Sequence, residues 1–320
     1  MAPTALICGI TGQDGALLAA HLLDKGYAVT GTSRDPARAD LSRLAALGLE
    51  SRVRLLAMDP EDAASVRATL GAAQPEEIYH LAAQSSVGRS FEQPASTVSG
   101  IVLGTLNVLE ALRTDLPAAR LFVAGSGECF GETGGEPASE STPLNPTSPY
   151  AVAKTAAYWL VRNYRETYGL FAATGLLFNH ESLLRPTQFV TQKIIQGARR
   201  IGAEGGEPLR LGRLDIWRDW GWAPDYVDAM WRMLQQPAAG DFIIASGHSH
   251  SLRDFVAEAF ACVGLDWQSH VVESAELYRP SDIIRSYANP EKARRELGWS
   301  ASHGMREVVR MMSAGRPSGQ

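Results

Sequence analysis

Apolar residues run unbroken through Ala5-Leu6-Ile7-Cys8, and a helical repeat follows in Ala16-Leu17-Leu18-Ala19-Ala20-His21-Leu22-Leu23. A short run that is apolar on both faces suits a strand buried in a parallel sheet, so residues 4–9 are predicted as one. The pattern then repeats. Gly26-Tyr27 closes the helix, and strands are expected at 28–33, 53–58, 77–83, 120–124 and 172–178. Helices over 61–73, over roughly 96–113 and from Tyr150 onward separate the later strands. Regular alternation of strand and helix predicts an α/β fold with a Rossmann-like, doubly wound parallel sheet. From about residue 183 the pattern changes: Arg, Trp and Pro accumulate, and no further regular alternation is evident. A division into a mainly dinucleotide-binding domain, 1–182, and a smaller C-terminal α/β lobe, 183–320, is expected, with the chain returning between the two. Residues 290–299 form an amphipathic helix ending at Gly298, and Gly315 to Gln320 read as a frayed tail.

Composition narrows the partners. The 320 residues are 45% hydrophobic and 20% charged, ordinary for a globular protein with a sizeable core. A net charge of −5 argues against a nucleic-acid or membrane-surface partner. Three scattered cysteines, Cys8, Cys129 and Cys262, have no metal-type spacing and point to a reducing compartment. No basic, apolar leader opens the chain and no run approaches a membrane span, so a cytoplasmic protein is expected.

Gly9-Ile10-Thr11-Gly12-Gln13-Asp14-Gly15 joins the first strand to the first helix. Glycines there let the backbone turn tightly, approach a pyrophosphate and pack the helix on the sheet. Residues at the end of the second strand read the adenosine ribose. Arg34 favours the 2′-phosphate of NADP, whereas Asp35 beside it offers the rival reading. Asp59, ending the third strand, is placed to meet the adenine amino group. Small Ala82 and Ala83 after the fourth strand let a cofactor lie against backbone, ahead of Gln84-Ser85-Ser86-Val87.

Ser148-Pro149-Tyr150-Ala151-Val152-Ala153-Lys154 carries the chemistry. Tyr150 and Lys154 are four residues apart, one helical turn, so phenol and ammonium share a face. A cation beside a phenol that titrates near ~10 favours the phenolate, which moves it toward the range of a general base. Ser126-Gly127-Glu128 ends the fifth strand; in an extended segment both side chains point the same way. Ser126 can bond a substrate oxygen, and Glu128 is a carboxylate that can move protons. The Gly-, Pro- and Ser-rich loop 132–146 is expected over this site. Arg185, Lys193, Arg218 and Arg279, with the aromatic and cationic stretch 212–222, suit a diphosphate and a planar base.

Taken together, these words resemble the extended short-chain dehydrogenase family and, within it, the GDP-mannose 4,6-dehydratases. Besides the glycine loop and Tyr-x-x-x-Lys, the likeness rests on Leu81-Ala82-Ala83-Gln84-Ser85, Asn163-Tyr164-Arg165-Glu166, Leu177-Phe178-Asn179-His180-Glu181-Ser182, Arg218-Asp219-Trp220-Gly221 and Leu297-Gly298-Trp299. It implies a lyase that passes hydride from C4 of GDP-mannose to NADP and back to C6, with loss of water. Tyr150 would act at the 4-hydroxyl, with Lys154 lowering its pKa. Glu128 would act at C5 and O6, and Ser126 would stand for the usual Thr. The resemblance carries the cofactor to Gly9, Thr11, Gly12, Gln13, Asp14, Gly15, Arg34, Asp59, Leu81, Ala82, Ala83, Gln84, Ser85, Tyr150, Lys154, His180 and Arg185. It carries the nucleotide sugar to Ser85, Ser126, Glu128, Tyr150, Asn179, Lys193, Arg218 and Arg279.

Departures from the family pattern cluster near these contacts: Asp35 for a second Arg, Gly127 for Ser, Thr147 for Arg, Leu183-Leu184-Arg185-Pro186 for Pro-Arg-Arg-Gly, Gln192 for Arg and Asp282 for Glu. A shortened loop after Asp35 favours a homodimer over the family's tetramer. Two other enzyme readings stay open, a GDP-4-keto-6-deoxyhexose reductase and a 4,6-dehydratase of another GDP-hexose. A non-catalytic NADP-binding protein would require damage to the Tyr, Lys or glycine-loop residues, and these are intact.

Overall fold

The computed structural model describes residues 2–315, so residues 316–320 of the expected tail lie outside the described residues. Twelve strands follow in chain order: β1 (Thr4–Cys8), β2 (Ala28–Ser33), β3 (Arg54–Ala57), β4 (Glu77–His80), β5 (Arg120–Ala124), β6 (Ala172–Leu177), β7 (Asn179–Glu181), β8 (Leu209–Leu211), β9 (Trp217–Trp222), β10 (Asp241–Ile244), β11 (Ser249–Ser251) and β12 (Val271–Glu273). Seven of them form one parallel sheet in the order β10-β6-β5-β4-β1-β2-β3. Strand order reverses about β1, whose neighbours are β2 and β4. Open α/β sheets bind ligands at such a switch point, beyond the carboxyl ends of the strands.

The expected alternation holds for the first six strands, with two differences. The strand expected over 77–83 ends at His80, because Leu81 onward leaves the ladder to line a cleft. A seventh strand, β10, joins the sheet beside β6 from far along the chain. Its Asp241 carboxylate takes two bonds from the Arg165 guanidinium, at 2.9 and 2.6 Å. Between β6 and β10 the helix Ala223–Leu234 packs on the helix Gln13–Asp24, burying Tyr226, Val227, Met230, Met233 and Leu234 with Leu18 and Leu22.

The helical stretch Pro94–Asp115, interrupted by a π-turn at Ser99–Leu103, corrects one expectation. It is 22 residues long and contains an 18-residue window with a mean hydropathy of 1.4, so by length and apolarity it does reach a membrane span. Half of that window is buried: Ile101, Val108, Leu109 and Leu112 face the protein, and the stretch packs on the helices Ala63–Ala73 and Pro149–Tyr168. Its apolarity is therefore used in the core.

Two small sheets, β11-β9-β7 and β12-β8, accompany the main sheet, the first of them reached directly from the carboxyl end of β6 through β7. Asp219 of β9, fully buried, secures this junction. Its carboxylate accepts the backbone N–H groups of Ser246, Gly247 and His248 at 2.9, 2.7 and 3.1 Å, which ties β9 to the turn after β10. Burial raises the Asp219 pKa to about 6 even against these three donors.

Candidate active site

A cleft lies over the carboxyl ends of β1, β4, β5 and β6, with a volume of about 1670 Å³ including its open mouth. The glycine loop forms its floor. Gly9 has φ +88°, which disfavours any side chain, and a Cβ on Gly15 would stand 2.3 Å from the Gly9 carbonyl oxygen. A Cβ on Gly12 would meet only that same oxygen, at 3.4 Å, so this position keeps the cleft open rather than the fold packed. No side chain caps the helix Gln13–Asp24, and its first-turn N–H groups face the cleft floor. An uncapped helix N-terminus behind a glycine cradle fits a dinucleotide pyrophosphate.

His180 links this floor to β7 and to the helix Ala223–Leu234. Its Nε2 lies 3.0 Å from Asp14 and its Nδ1 2.7 Å from the Phe178 carbonyl, and its ring stacks on Tyr226 at 4.4 Å. Burial works against the imidazolium, but the Asp14 carboxylate outweighs it, so the His180 pKa stands above its ordinary value. Burial likewise opposes charge on Asp14, and the charge and hydrogen bond of His180 bring it down to about 2. Gln13 completes the join, accepting the Ser182 hydroxyl at 2.9 Å.

Tyr150 and Lys154 both line the cleft from the helix Pro149–Tyr168, whose N-cap Ser148 accepts the Ala151 N–H at 3.1 Å. The electrostatics differ from the expectation. Burial pushes the Tyr150 phenol well above its usual pKa, offset only in part by the Ser126 hydroxyl. Burial also lowers Lys154 to about 8. The Lys154 ammonium donates to the Ala124 carbonyl at 2.7 Å and lies 5.9 Å from the Tyr150 ring centre, so it is anchored to β5 rather than paired with the phenol.

Ser126 and Glu128 also line the cleft, but not as an extended pair. Residues Gly127–Phe130 form a 3-10 turn whose N-cap is Ser126, with its Oγ accepting the Glu128 N–H at 3.2 Å. The Glu128 carboxylate faces the Arg218 guanidinium at 3.8 Å. The loop 132–146 contributes no lining residue. It braces neighbouring segments instead: Glu132 accepts the backbone N–H groups of Ile284 and Arg285, and Glu140 accepts that of Ile243.

Of the residues expected to hold ligands, Gly9, Gly12, Gln13, Asp14, Gly15, Leu81, Ala83, Gln84, Ser85, Asn179, His180, Arg185, Arg218 and Arg279 line the cleft. Thr11 and Ala82, both half-buried, are not among the lining residues. Arg34 and Asp59 are exposed beyond the ends of β2 and β3, outside the main cleft. Lys193 is exposed, is not among the residues lining the cleft, and donates to the Arg210 carbonyl at 2.8 Å. Its place on the helix Val190–Glu204 points it away from the buried side that Gln192 occupies. Three contributors carried no sequence signal. Phe189 stacks under Arg185 at 3.7 Å, Ile216 adds to the cleft wall, and Arg43 clamps the glycine loop by donating to the carbonyls of Thr11 at 3.2 Å and Leu184 at 3.0 Å.

The whole chain can be set against known proteins. Residues 6–312 match the family model described as GDP-mannose 4,6 dehydratase. GDP-mannose 4,6 dehydratase 1 of Arabidopsis thaliana is 42% identical over 318 residues, covering 96% of this chain and 88% of that protein. The human GDP-mannose 4,6 dehydratase is 38% identical, covering 96% and 90%. Among solved structures, UDP-glucose 4-epimerase of Thermus thermophilus in complex with NAD superposes with a TM-score of 0.86 at 25% identity, covering 99% of this chain and all of that one. A dTDP-glucose 4,6-dehydratase of Streptomyces venezuelae with NAD bound reaches 0.87 at 23%, covering 98% and 96%, a likeness of fold. A glycine-cradled cleft at the switch point, with Tyr150, Lys154 and Glu128 on its wall, thus sits in a chain that belongs to the GDP-mannose 4,6-dehydratase family.

Proposed function

We propose that this protein converts GDP-mannose to GDP-4-keto-6-deoxymannose and water, with no net consumption of cofactor. What carries the reading is Glu128: a carboxylate on the same cleft wall as Tyr150 and Lys154, where a simple keto reductase needs none. The cofactor is a nicotinamide dinucleotide held by Gly9, Gly12, Asp14, Gln84, Lys154 and His180, and when bound it supplies the reversible hydride acceptor that an internal redox elimination requires. Tyr150 accepts the proton of the sugar 4-hydroxyl as C4 becomes a ketone. That ketone acidifies the C5 proton, which Glu128 removes. The carboxyl group, now protonated, returns the proton to the departing 6-hydroxyl and water leaves; the hydride taken from C4 would then be returned to C6 of the enone, with a proton taken up at C5, which restores the oxidised cofactor. Asn179 and Arg279 hold the nucleotide sugar across the cleft from the dinucleotide. Incubation with GDP-mannose, followed by NMR, is expected to show a 4-keto-6-deoxy product at constant cofactor absorbance. Stoichiometric consumption of reduced cofactor would reject the reading, and parallel incubations with other GDP-hexoses settle the sugar.

The preferred cofactor is NADP. Asp35, the rival ribose reader, is folded into its own turn, accepting the Ala37 N–H at 3.1 Å and facing Arg38 at 3.7 Å. Arg34 makes no hydrogen bond or ion pair among the described residues and is available to a 2′-phosphate. Replacing Arg34 by serine is expected to weaken NADP binding by about tenfold or more, the loss of one charge-assisted contact, with little effect on NAD. Titration of both cofactors by fluorescence checks this.

The working assembly is a homodimer. Two helical stretches packed side by side expose Val98 and Leu103 on one and Val152, Trp159 and Tyr168 on the other, with Trp159 52% exposed. Apolar side chains repeated along neighbouring helices suit an isologous pairing with a second copy. Trp159→Lys is expected to give monomers by light scattering; an unchanged dimer mass would place the interface elsewhere.

A further inference from the structure

Four distant stretches of the chain meet at His180. The fully buried ring of Tyr226 stacks on the His180 ring, with centroids 4.4 Å and planes 25° apart. The indole of Trp299 meets the Tyr226 ring edge-on at 5.9 Å, and its Nε1–H donates to the Asp225 carbonyl at 2.9 Å. Gly221, on β9, leaves room for the phenol: a Cβ there would stand 2.3 Å from Tyr226 Cε2 and 2.6 Å from its hydroxyl oxygen. That hydroxyl donates to the Asn179 carbonyl at 3.4 Å. Tyr226 is not among the residues lining the cleft, whereas His180 is, so Tyr226 acts on a ligand only through its neighbour.

Both ring nitrogens of His180 meet groups that only accept. Nδ1 lies 2.7 Å from the Phe178 carbonyl and Nε2 3.0 Å from the Asp14 carboxylate. A neutral imidazole carries one N–H, so making both bonds requires the imidazolium. Asp14, on the helix Gln13–Asp24, favours that charge, and Arg185, beyond β7, opposes it. Glu181, the next residue on β7, is buried and already engaged by Arg185 at 3.2 Å and by the Thr191 hydroxyl at 2.7 Å. Burial keeps the Tyr226 phenol neutral, reinforced by the carboxylates of Asp219, Asp225, Glu181 and Asp14. Its aromatic face is a favourable neighbour for a buried cation. Asp14 is held from its other side too, since Gln13 Nε2 donates to Asp14 Oδ1 at 2.9 Å and to the His180 carbonyl at 3.4 Å.

We propose that Tyr226 is a positioning residue of the cofactor site: its ring holds the His180 imidazolium against Asp14, and so fixes the glycine loop in the form that receives the dinucleotide. Gly221 and Trp299 confine that ring. The inference rests on the dinucleotide reading of the cleft and adds to it a residue that touches no ligand. Its pH dependence has a definite sign. The folded-state pKa of His180 lies above that of free imidazole because the Asp14 carboxylate outweighs burial. The grip is therefore complete at lower pH and is lost as pH rises through that folded-state value.

The test follows the His180 ring by NMR in full-length protein labelled at histidine Cε1 and free of dinucleotide. Separate fluorescence titrations measure NADP and NAD affinity across pH. His180→Gln identifies the resonance among the seven histidines. In the wild type the ring is expected to titrate above the ~6.5 of an unperturbed imidazole, with dinucleotide affinity falling as pH rises through the same value. Lys154 loses its charge at about 8 and adds its own limb; the part carried by His180 is the part missing from His180→Gln. Tyr226→Leu is expected to weaken proton binding at His180 by about tenfold, the worth of a desolvated cation–π contact, and to move the affinity profile to lower pH with it. Gly221→Ala, which displaces the phenol, is expected to do the same. Tyr226→Phe keeps the aromatic face and is expected to retain the wild-type titration and affinity, which separates loss of the ring from poor folding of the Leu variant. A wild-type His180 that titrates at or below ~6.5 overturns the inference without any variant. So does a Tyr226→Leu protein whose dinucleotide affinity matches wild type at every pH. A wild type that binds neither dinucleotide overturns the cofactor reading, and the positioning role with it, whatever the ring titration shows.

Discussion

Glu128→Gln is expected to lower kcat for water loss by about 10²–10⁴-fold while leaving the fold intact. The substitution keeps the volume of the side chain and removes only its capacity to take up a proton. Glu128 is 18% exposed at the cleft wall, and its backbone N–H, bonded to Ser126 Oγ, is unaffected by the change. Glutamine cannot accept the C5 proton, so the 4-ketone would have no route to the enone and the 6-hydroxyl would stay on the sugar. NMR of the sugar after incubation reads this directly. The same substitution separates the two enzyme readings that the chain suggests, because reduction of a 4-keto sugar needs no base at C5. A glutamine variant that eliminates water at the wild-type rate would remove Glu128 from the mechanism.

Tyr150→Phe is expected to cost about 10²–10⁴-fold in kcat, since the aromatic packing survives and only the acid–base oxygen is lost. In the structure the phenol is buried and its pKa lies well above the usual range, so burial alone holds it as the neutral acid. A bound dinucleotide must alter that environment for the oxygen to serve as a base, which ties proton removal to cofactor occupancy. Lys154 adds a pH dependence with a definite sign. Burial brings it down to about 8, so it is charged below that pH and neutral above it. A cation near Tyr150 favours the phenolate, and kcat/KM is therefore expected to fall as pH rises through about 8. Lys154→Met should lower kcat/KM and abolish that alkaline limb. A limb that persists in the Met variant would assign it to another group.

Local features were legible in the chain wherever the determining contacts lie within a turn or a strand. Gly9 and Gly15 announce the phosphate loop because φ and close packing at those points admit nothing larger. Tyr150 and Lys154 share a face because helical geometry alone puts them there. Ser126 and Glu128 were legible as cleft residues but not in their conformation, since the 3-10 turn is set by a side-chain cap rather than by strand periodicity. Lys193 donates to the Arg210 carbonyl, a partner 17 residues away that residue type and spacing do not announce.

Residue order alone therefore determined the alternating parallel sheet, the glycine cradle and the helical Tyr–Lys pair, because each depends on neighbours within a few residues. Only the tertiary structure decided that β10 returns to the sheet and that the loop 132–146 bonds to β10 and to the segment at 284–285. It alone decided that Tyr150 is held as the acid and that Arg218 is caught between Glu128 and Asp282. Those outcomes turn on which distant segments exclude water from a group and which backbone carbonyls meet it, and solvation and pairing of that kind have no signature in local spacing.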